Sequence, residues 1–111
     1  APATELPRRA ATLEVAIARS PAVAVLRRRY RAVIEAWLAR LARSSGGPGD
    51  LEKVLRRGIE HDDDYGEAML NLALLVAGRG DLDGARRLVD RAERTDRTRE
   101  AAREMRRRLP P

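Results

Sequence analysis

The chain has 111 residues, of which 43% are apolar, and its 23 basic and 17 acidic residues give a net charge of +6. This length predicts a single domain with a modest hydrophobic core. The absence of cysteine excludes disulfides, thiolate metal ligands and thiol nucleophiles, and the longest apolar run, Leu72 to Ala77, is much shorter than the ~18 residues that predict a membrane span.

The composition leaves the cellular compartment open. A chain without cysteine suits either the cytoplasm or the periplasm, and the cytoplasm is slightly favoured. The first residue is Ala1 rather than Met, as expected for a processed or excised piece. We therefore expect the domain to be part of a larger protein or complex.

The basic residues are unusual because every one except Lys53 is arginine. A guanidinium group binds phosphate or carboxylate through two parallel hydrogen bonds, so this composition is consistent with an anionic partner. The acidic residues, however, are interleaved with the arginines along the chain. That arrangement favours a simpler interpretation, in which a GC-rich genome encodes arginine where another genome would encode lysine.

Two helices are predicted after an irregular start over residues 1–7, which include two prolines. The first is predicted over residues 8–19, because apolar residues recur there at spacings of three and four. Ser20 is expected to end it and to cap a long second helix, with Pro21 at the first helical position. The same apolar spacing extends this second helix to about residue 43.

A glycine-rich loop over residues 44–49 separates the long helix from the next one. Asp50 is predicted to cap a helix over residues 51–60. The turn from His61 to Asp64 carries side chains that bind cations weakly. A lone histidine without the spacing of a calcium loop is better explained as part of an acidic turn between helices.

The clearest pair of helices follows this turn. Asp64 and, three residues later, Glu67 predict a capping box for a helix over residues 65–77, which is apolar on almost every side. A glycine-rich turn then leads to Asp81, which is expected to cap an amphipathic helix with one apolar stripe. A polar helix over residues 98–109 completes the chain.

Residues of similar type recur along the chain at an interval of 34. The recurring pairs are Leu38 and Leu72, Ala39 and Ala73, Gly58 and Ala92, and Asp62 and Asp96. With two helices in each interval, the chain resembles the tetratricopeptide repeat (TPR) family, whose repeats have this length. The two predicted repeats are residues 32–65, which match the family pattern poorly, and residues 66–99, which match it well.

The better repeat carries small and large residues where the family has them. These residues are Met69, Leu72 and Ala73 on its first helix and Ala85, Val89 and Ala92 on its second. Departures from the pattern are Glu35, in place of a large apolar residue, and Arg97, in place of the usual proline. Small side chains allow antiparallel helices to pack closely. The predicted crossing points are Ala39, Gly58, Ala73, Ala85 and Ala92.

The resemblance implies an all-α fold of about six helices, in which antiparallel helical hairpins stack as a short right-handed superhelix. Residues 1–111 would form one such domain. Residues 8–31 would extend the stack at its N-terminal end, and residues 100–111 would form a polar, solubilising cap at the other.

The resemblance also implies a function in protein–protein interaction. In this family the first helices of the hairpins line a concave groove that binds a peptide or a helix of a partner. Carried over to this chain, the groove-facing residues are Val33, Trp37, Arg40 and Arg43 from the first repeat and Glu67, Leu70, Asn71 and Leu74 from the second. We expect no catalytic residue, metal site or cofactor.

Two of these residues have more than one interpretation. Asn71 stands where some family members use an asparagine to hold the backbone or terminal carboxylate of a peptide, with Arg40 as a partial match to the basic residues of that clamp. Trp37 would anchor a partner if it lies in the groove. The simpler interpretation places Trp37 in the core between the long helix and its neighbours.

Two other functions are alternatives to partner binding. Self-association into a homo-oligomer is one, because a short stack of repeats leaves an apolar end face uncovered. Nucleic-acid binding is the other, through clusters of arginine at residues 27–29, 56–57, 86–87 and 106–108. It is disfavoured because acidic residues lie among these arginines and few aromatic side chains are available for base stacking.

Overall fold

The computed structural model describes residues 4–44 and 47–110. Over these ranges the chain forms six α-helices and a short 3-10 helix, with no β-strand, so the predicted all-α fold is confirmed. The helices are α1 (Glu5–Arg19), α2 (Ala24–Arg43), α3 (Pro48–His61), α4 (Gly66–Gly78), α5 (Leu82–Glu93), the 3-10 helix Asp96–Thr98, and α6 (Arg99–Arg108).

The first compact unit ends at Asp62 and contains α1, α2 and α3. Each of these helices contacts the other two. The buried apolar side chains of the unit are separated by about one or two helical turns along each helix, as expected for helices packed on one face. They are Ala10, Ile17, Tyr30, Val33, Ile34, Val54, Leu55 and Ile59.

The second compact unit begins at Asp63 and contains the remaining helices. Within it α5 contacts both α4 and α6, and the 3-10 helix contacts all three. Small and medium-sized side chains dominate its buried set, which suits closely spaced helices. The buried apolar residues are Tyr65, Ala68, Met69, Leu70, Leu72, Ala73, Val76, Ala85, Leu88, Val89, Ala92 and Ala102.

The residues predicted to lie at helix crossings are buried with one exception. Gly58, Ala73, Ala85 and Ala92 are buried. The prediction for Ala39 is wrong, because that residue is exposed on α2. Ala39 is two residues from Trp37, and two residues turn an α-helix by about 200°. It therefore faces away from the side of α2 that carries the core.

Three predicted helix caps are also wrong, because each helix begins at a different residue. Ser20 is the C-cap of α1, and its N–H donates to the carbonyls of Ala16 and Ile17 at 2.9 and 3.2 Å, so α2 starts only at Ala24. α3 starts at Pro48, which places Asp50 inside its first turn. α4 is preceded by Tyr65, so the capping box predicted from Asp64 and Glu67 is out of register by one residue.

The cap predicted for α5 is confirmed. A carboxylate oxygen of Asp81 accepts a hydrogen bond from the N–H of Gly84 at 2.9 Å. Gly80, which precedes it, has φ of +93°, a conformation that only glycine adopts at little cost. The Gly-Asp pair therefore turns the chain out of α4 and starts α5.

Candidate functional site

The outward face of α4 is the part of the second unit that carries the predicted partner-binding residues. α4 buries seven of its residues, Gly66, Ala68, Met69, Leu70, Leu72, Ala73 and Val76. Glu67, Asn71 and Leu74 follow one another at spacings of four and three, so they share one face of the helix. Asn71 is exposed, and Leu74 is 59% exposed, which makes it the most exposed large apolar residue among the described ones.

Leu70 differs from the other residues predicted on α4. It is buried, with 8% of its surface exposed. The TPR resemblance assigned both Leu70 and Leu74 to the partner-binding groove. The structure brings only Glu67, Asn71 and Leu74 to the exposed face, and we call these three residues the α4 face.

The N-terminal end of the α4 face is charged and lies near the 3-10 helix. The guanidinium Nε of Arg97 lies 3.5 Å from a carboxylate oxygen of Glu67. Because both side chains are well exposed, this ion pair contributes little stability, but it sets the charge pattern beside Asn71.

A close contact between α4 and the end of α5 holds the α4 face in place. Gly66, the first residue of α4, lies directly against the side chains of Thr95 and Thr98. The hydroxyls of these threonines are in contact with each other, and they donate to the carbonyl of Ala92 at 3.1 and 2.7 Å. The same carbonyl, near the C-terminal end of α5, also accepts the N–H of Thr95 at 3.2 Å.

The residues predicted on α2 are placed at different depths. Val33 is buried, Trp37 is half-buried, and Arg40 and Arg43 are exposed in the last turn of the helix. The guanidinium carbon of Arg57, on α3, lies 5.3 Å from the centroid of the Trp37 ring, within range of a cation–π interaction. Trp37 therefore contributes to the packing of α2 against α3 and still presents part of its ring to solvent.

A polar cluster joins the three helices of the first unit. The carboxylate of Glu14 on α1 accepts hydrogen bonds from the phenol of Tyr30 at 2.7 Å and from Arg57 at 2.6 and 2.8 Å. The Tyr30 hydroxyl also lies 3.2 Å from the backbone carbonyl of Arg57. His61 contacts the Tyr30 ring edge-on, with its Nε2 3.9 Å from Glu14.

The protonation states of Glu14 and Tyr30 suit the hydrogen bonds in this cluster. Burial alone would raise the pKa of Glu14, but hydrogen bonds from Arg57 and Tyr30 outweigh burial and hold that pKa below its usual value. Burial and the neighbouring Glu14 carboxylate raise the pKa of Tyr30, so the phenol keeps its proton and donates it. The cluster thus stabilises the arrangement of α1, α2 and α3.

Asp62 makes a second buried ion pair at the end of α3. Its carboxylate accepts hydrogen bonds from Arg31 at 2.5 and 3.1 Å and is completely buried. Arg27 approaches the same carboxylate at 4.0 Å. The sequence indicated an acidic turn here but gave no sign that its first aspartate is a partner of α2.

The turn from His61 to Asp64 does not assemble a metal site. His61 faces Glu14 and Tyr30, whereas Asp62 pairs with Arg31. Over residues 4–44 and 47–110, no three His, Cys, Asp or Glu side chains converge as ligands for an ion.

Over the ranges that the structure describes, no helix combines the length and the hydropathy needed to cross a bilayer.

Most arginines of the second unit are paired with carboxylates. Glu93 on α5 accepts Arg103 and Arg106 of α6 at 3.1 and 2.5 Å, and Arg106 also pairs with Asp90. Hydrogen bonds from Arg106 and Arg103 lower the pKa of Glu93. Arg106, one of the residues proposed for phosphate contacts, is therefore already engaged with carboxylates of the protein.

Comparisons with known proteins give one informative similarity. The chain is 38% identical over 61 residues to a protein of Pseudomonas putida named probable biofilm formation methyltransferase WspC. The match covers 55% of this chain and 14% of that protein, so the chain spans only a small part of the length of this relative. No family model matches the chain. No solved structure matches it significantly.

Proposed function

We propose that this protein is a TPR-like interaction module that holds a segment of a partner polypeptide against the α4 face and catalyses no reaction. The observation that carries the proposal is the exposure of Leu74 on a helix that is otherwise largely buried. Burial of a leucine side chain by a partner would stabilise a complex by about 1.5–3 kcal/mol.

The neighbours of Leu74 suit a polypeptide partner. Asn71, one turn earlier on the same face, has an amide that both donates and accepts hydrogen bonds, which is what an extended peptide backbone requires. Glu67 and its partner Arg97 add one charge of each sign at the end of the face. An apolar anchor with polar groups beside it is the usual composition of a peptide-binding surface.

Residues on α2 are the second part of the proposal. Trp37, Arg40 and Arg43 present part of an aromatic ring and two guanidinium groups to solvent. Aromatic and arginine side chains are the residues most enriched at the energetic centres of interfaces. These residues belong to the first unit, and the proposal treats them as a surface of their own. The α4 face alone is sufficient to test the proposal.

The similarity to a methyltransferase is confined to a segment. The shared 61 residues make up 14% of the other protein. We propose that the two proteins share a helical module rather than an active site. Methyl transfer is therefore not part of the function proposed for this chain.

Selection of peptide ligands tests the proposal. The biotinylated protein would be used to select from a phage-displayed library of random peptides, and the selected peptides would be titrated by isothermal calorimetry. We expect Leu74→Glu to weaken their binding at least tenfold. Val15→Glu is the matched control, because Val15 is an aliphatic residue of similar exposure, 53%, in the first unit.

Two results would contradict the proposal. One is that no peptide is selected. The other is that Leu74→Glu and Val15→Glu weaken binding equally, since a specific site on α4 would then be absent. Self-association is a second candidate, favoured by exposed Val15, Val23 and Val25, and sedimentation equilibrium of the protein at increasing concentration would detect it directly.

A further inference from the structure

A second candidate binding surface lies between α1 and α2. The structure has an open cleft in the first unit, lined by Arg8, Arg9, Thr12, Leu13, Arg29 and Ala32. The first four residues belong to α1 and the last two to α2. All of the arginines are exposed, and Leu13 is half-buried. We call this surface the α1–α2 cleft.

The arginines of the α1–α2 cleft differ from most others in the protein. Over the described ranges, no carboxylate forms an ion pair with Arg8, Arg9 or Arg29, whereas Arg31 and Arg57 in the same unit both pair with buried carboxylates. Three guanidinium groups therefore line the cleft, and in the described ranges none of them has a carboxylate oxygen within 4 Å. Such a concentration of like charge attracts an anionic ligand.

Two of the residues that line the cleft are aliphatic. They are Leu13 and Ala32, and none of the described lining residues is aromatic. The hydroxyl of Thr12 donates to the carbonyl of Arg8 at 3.1 Å, which leaves its oxygen as an acceptor only. The aliphatic side chains favour an aliphatic group of the ligand, and the lack of an aromatic platform disfavours the stacking of nucleic-acid bases.

We propose that the α1–α2 cleft binds an acidic polypeptide segment, in which an aliphatic side chain contacts Leu13 and Ala32 while flanking carboxylates pair with Arg8, Arg9 and Arg29. Arginine is suited to this role because its guanidinium group forms two parallel hydrogen bonds with one carboxylate. This surface lies wholly within the first unit and is different from the α4 face. It is therefore an additional site, and its test does not depend on the function proposed above.

Fluorescence anisotropy with a defined probe tests the proposal. The probe is a fluorescein-labelled peptide of twelve residues with the repeating sequence Glu-Leu-Glu. Two comparison probes have the same length, one with serine in place of leucine and one a single-stranded oligothymidylate. We expect the Glu-Leu-Glu peptide to bind most tightly, because it alone offers both carboxylates and an aliphatic group.

Variants locate the binding to the cleft. The triple variant Arg8→Gln, Arg9→Gln, Arg29→Gln is expected to weaken binding of the peptide by roughly tenfold or more. The charge-matched control is Arg19→Gln, Arg87→Gln, Arg94→Gln, which removes three exposed arginines outside the cleft and should change the affinity less than about twofold. Circular dichroism would verify that both variants keep the helical content of the wild type.

A single substitution tests the aliphatic lining of the cleft. Ala32→Glu places a carboxylate inside the cleft and is expected to weaken binding severalfold, whereas Ala36→Glu, one turn along α2 and also exposed, should not.

Three results would overturn the proposal. Equal loss of binding in the two triple variants would show that affinity depends on net charge alone. Tighter binding of the oligothymidylate, lost in the cleft variant, would identify a nucleic-acid site instead. Failure of the Glu-Leu-Glu peptide to bind more tightly than the serine probe would remove the role of Leu13 and Ala32.

Discussion

The carboxylate of Glu14 receives two hydrogen bonds from the guanidinium of Arg57, at 2.6 and 2.8 Å. The two residues are 43 positions apart and lie on α1 and α3, which are not consecutive helices. Glu14 also accepts the phenol proton of Tyr30 on α2. One carboxylate therefore joins all three helices of the first unit, and its removal leaves two donors without their acceptor.

Glu14→Gln is expected to destabilise the protein by about 1–3 kcal/mol. The neutral amide cannot balance the charge of Arg57, and it offers the Arg57 guanidinium one acceptor oxygen in place of two. The figure lies below the values for fully buried ion pairs, since the Arg57 side chain is still 33% exposed. Urea denaturation would measure the change. Glu104→Gln, which weakens the exposed pair with Arg107 on α6, is the control and should cost less than about 0.5 kcal/mol. Equal losses would contradict the assigned role of Glu14.

The same carboxylate predicts a dependence of stability on pH. Folding lowers the pKa of Glu14 below its ordinary value of 4.5. A depressed pKa gives stability that is present above the ordinary pKa and is lost as the pH falls through the folded value. The free energy of unfolding should therefore fall more steeply between about pH 5 and pH 3 in the wild type than in Glu14→Gln. Parallel curves would show that another carboxylate, such as Glu93, causes the acid lability.

Gly66→Ala tests the contact between α4 and the end of α5. A β-carbon at this position would overlap the hydroxyl and the β-carbon of Thr98, which cannot move without breaking its bond to Ala92. The expected loss of stability is about 1–3 kcal/mol. Gly78→Ala, at the other end of α4, meets no atom within 4 Å and should be neutral or stabilising, by up to about 1 kcal/mol. Thermal denaturation is expected to show a lower melting temperature for Gly66→Ala and an unchanged or higher one for Gly78→Ala. Equal shifts in the two variants would contradict the role assigned to Gly66.

Ala85→Leu tests the close packing of α5. Ala85 has no exposed surface, and α5 contacts both α4 and α6. Added volume at this position is expected to cost about 1–3 kcal/mol or more. Ala101→Leu, on the exposed side of α6, is the matched control and should change stability by less than about 0.5 kcal/mol. A neutral Ala85→Leu variant would contradict the assignment of Ala85 as a helix crossing point.

The sequence predicted the parts of the fold that depend on local signals. The helices before and after Asp81 and the cap made by Asp81 itself follow from periodicity and turn residues that lie close together in the chain. The predicted starts of helices were wrong where two local signals compete. Ser20 can end one helix or begin the next, and Pro48 was assigned to a loop although proline suits the first turn of a helix.

The candidate site was predicted only in part, for a related reason. Leu70 and Leu74 are equivalent in the sequence, because α4 is apolar on almost every side and its pattern does not indicate which side faces solvent. Only the packing distinguishes the buried Leu70 from the exposed Leu74. The pairing of Glu14 with Arg57 was likewise invisible, since nothing in a single sequence links a glutamate to an arginine 43 positions away.

Photo-cross-linking in cells tests the central claim, that the α4 face holds a partner polypeptide, most directly. The intact protein would be produced with p-benzoylphenylalanine at position 74, in place of Leu74, or at position 15, in place of Val15, and irradiated before analysis by mass spectrometry. We predict a discrete adduct between position 74 and a second protein, with none from position 15. The absence of any adduct at position 74, or identical adducts from both positions, would contradict the proposed function.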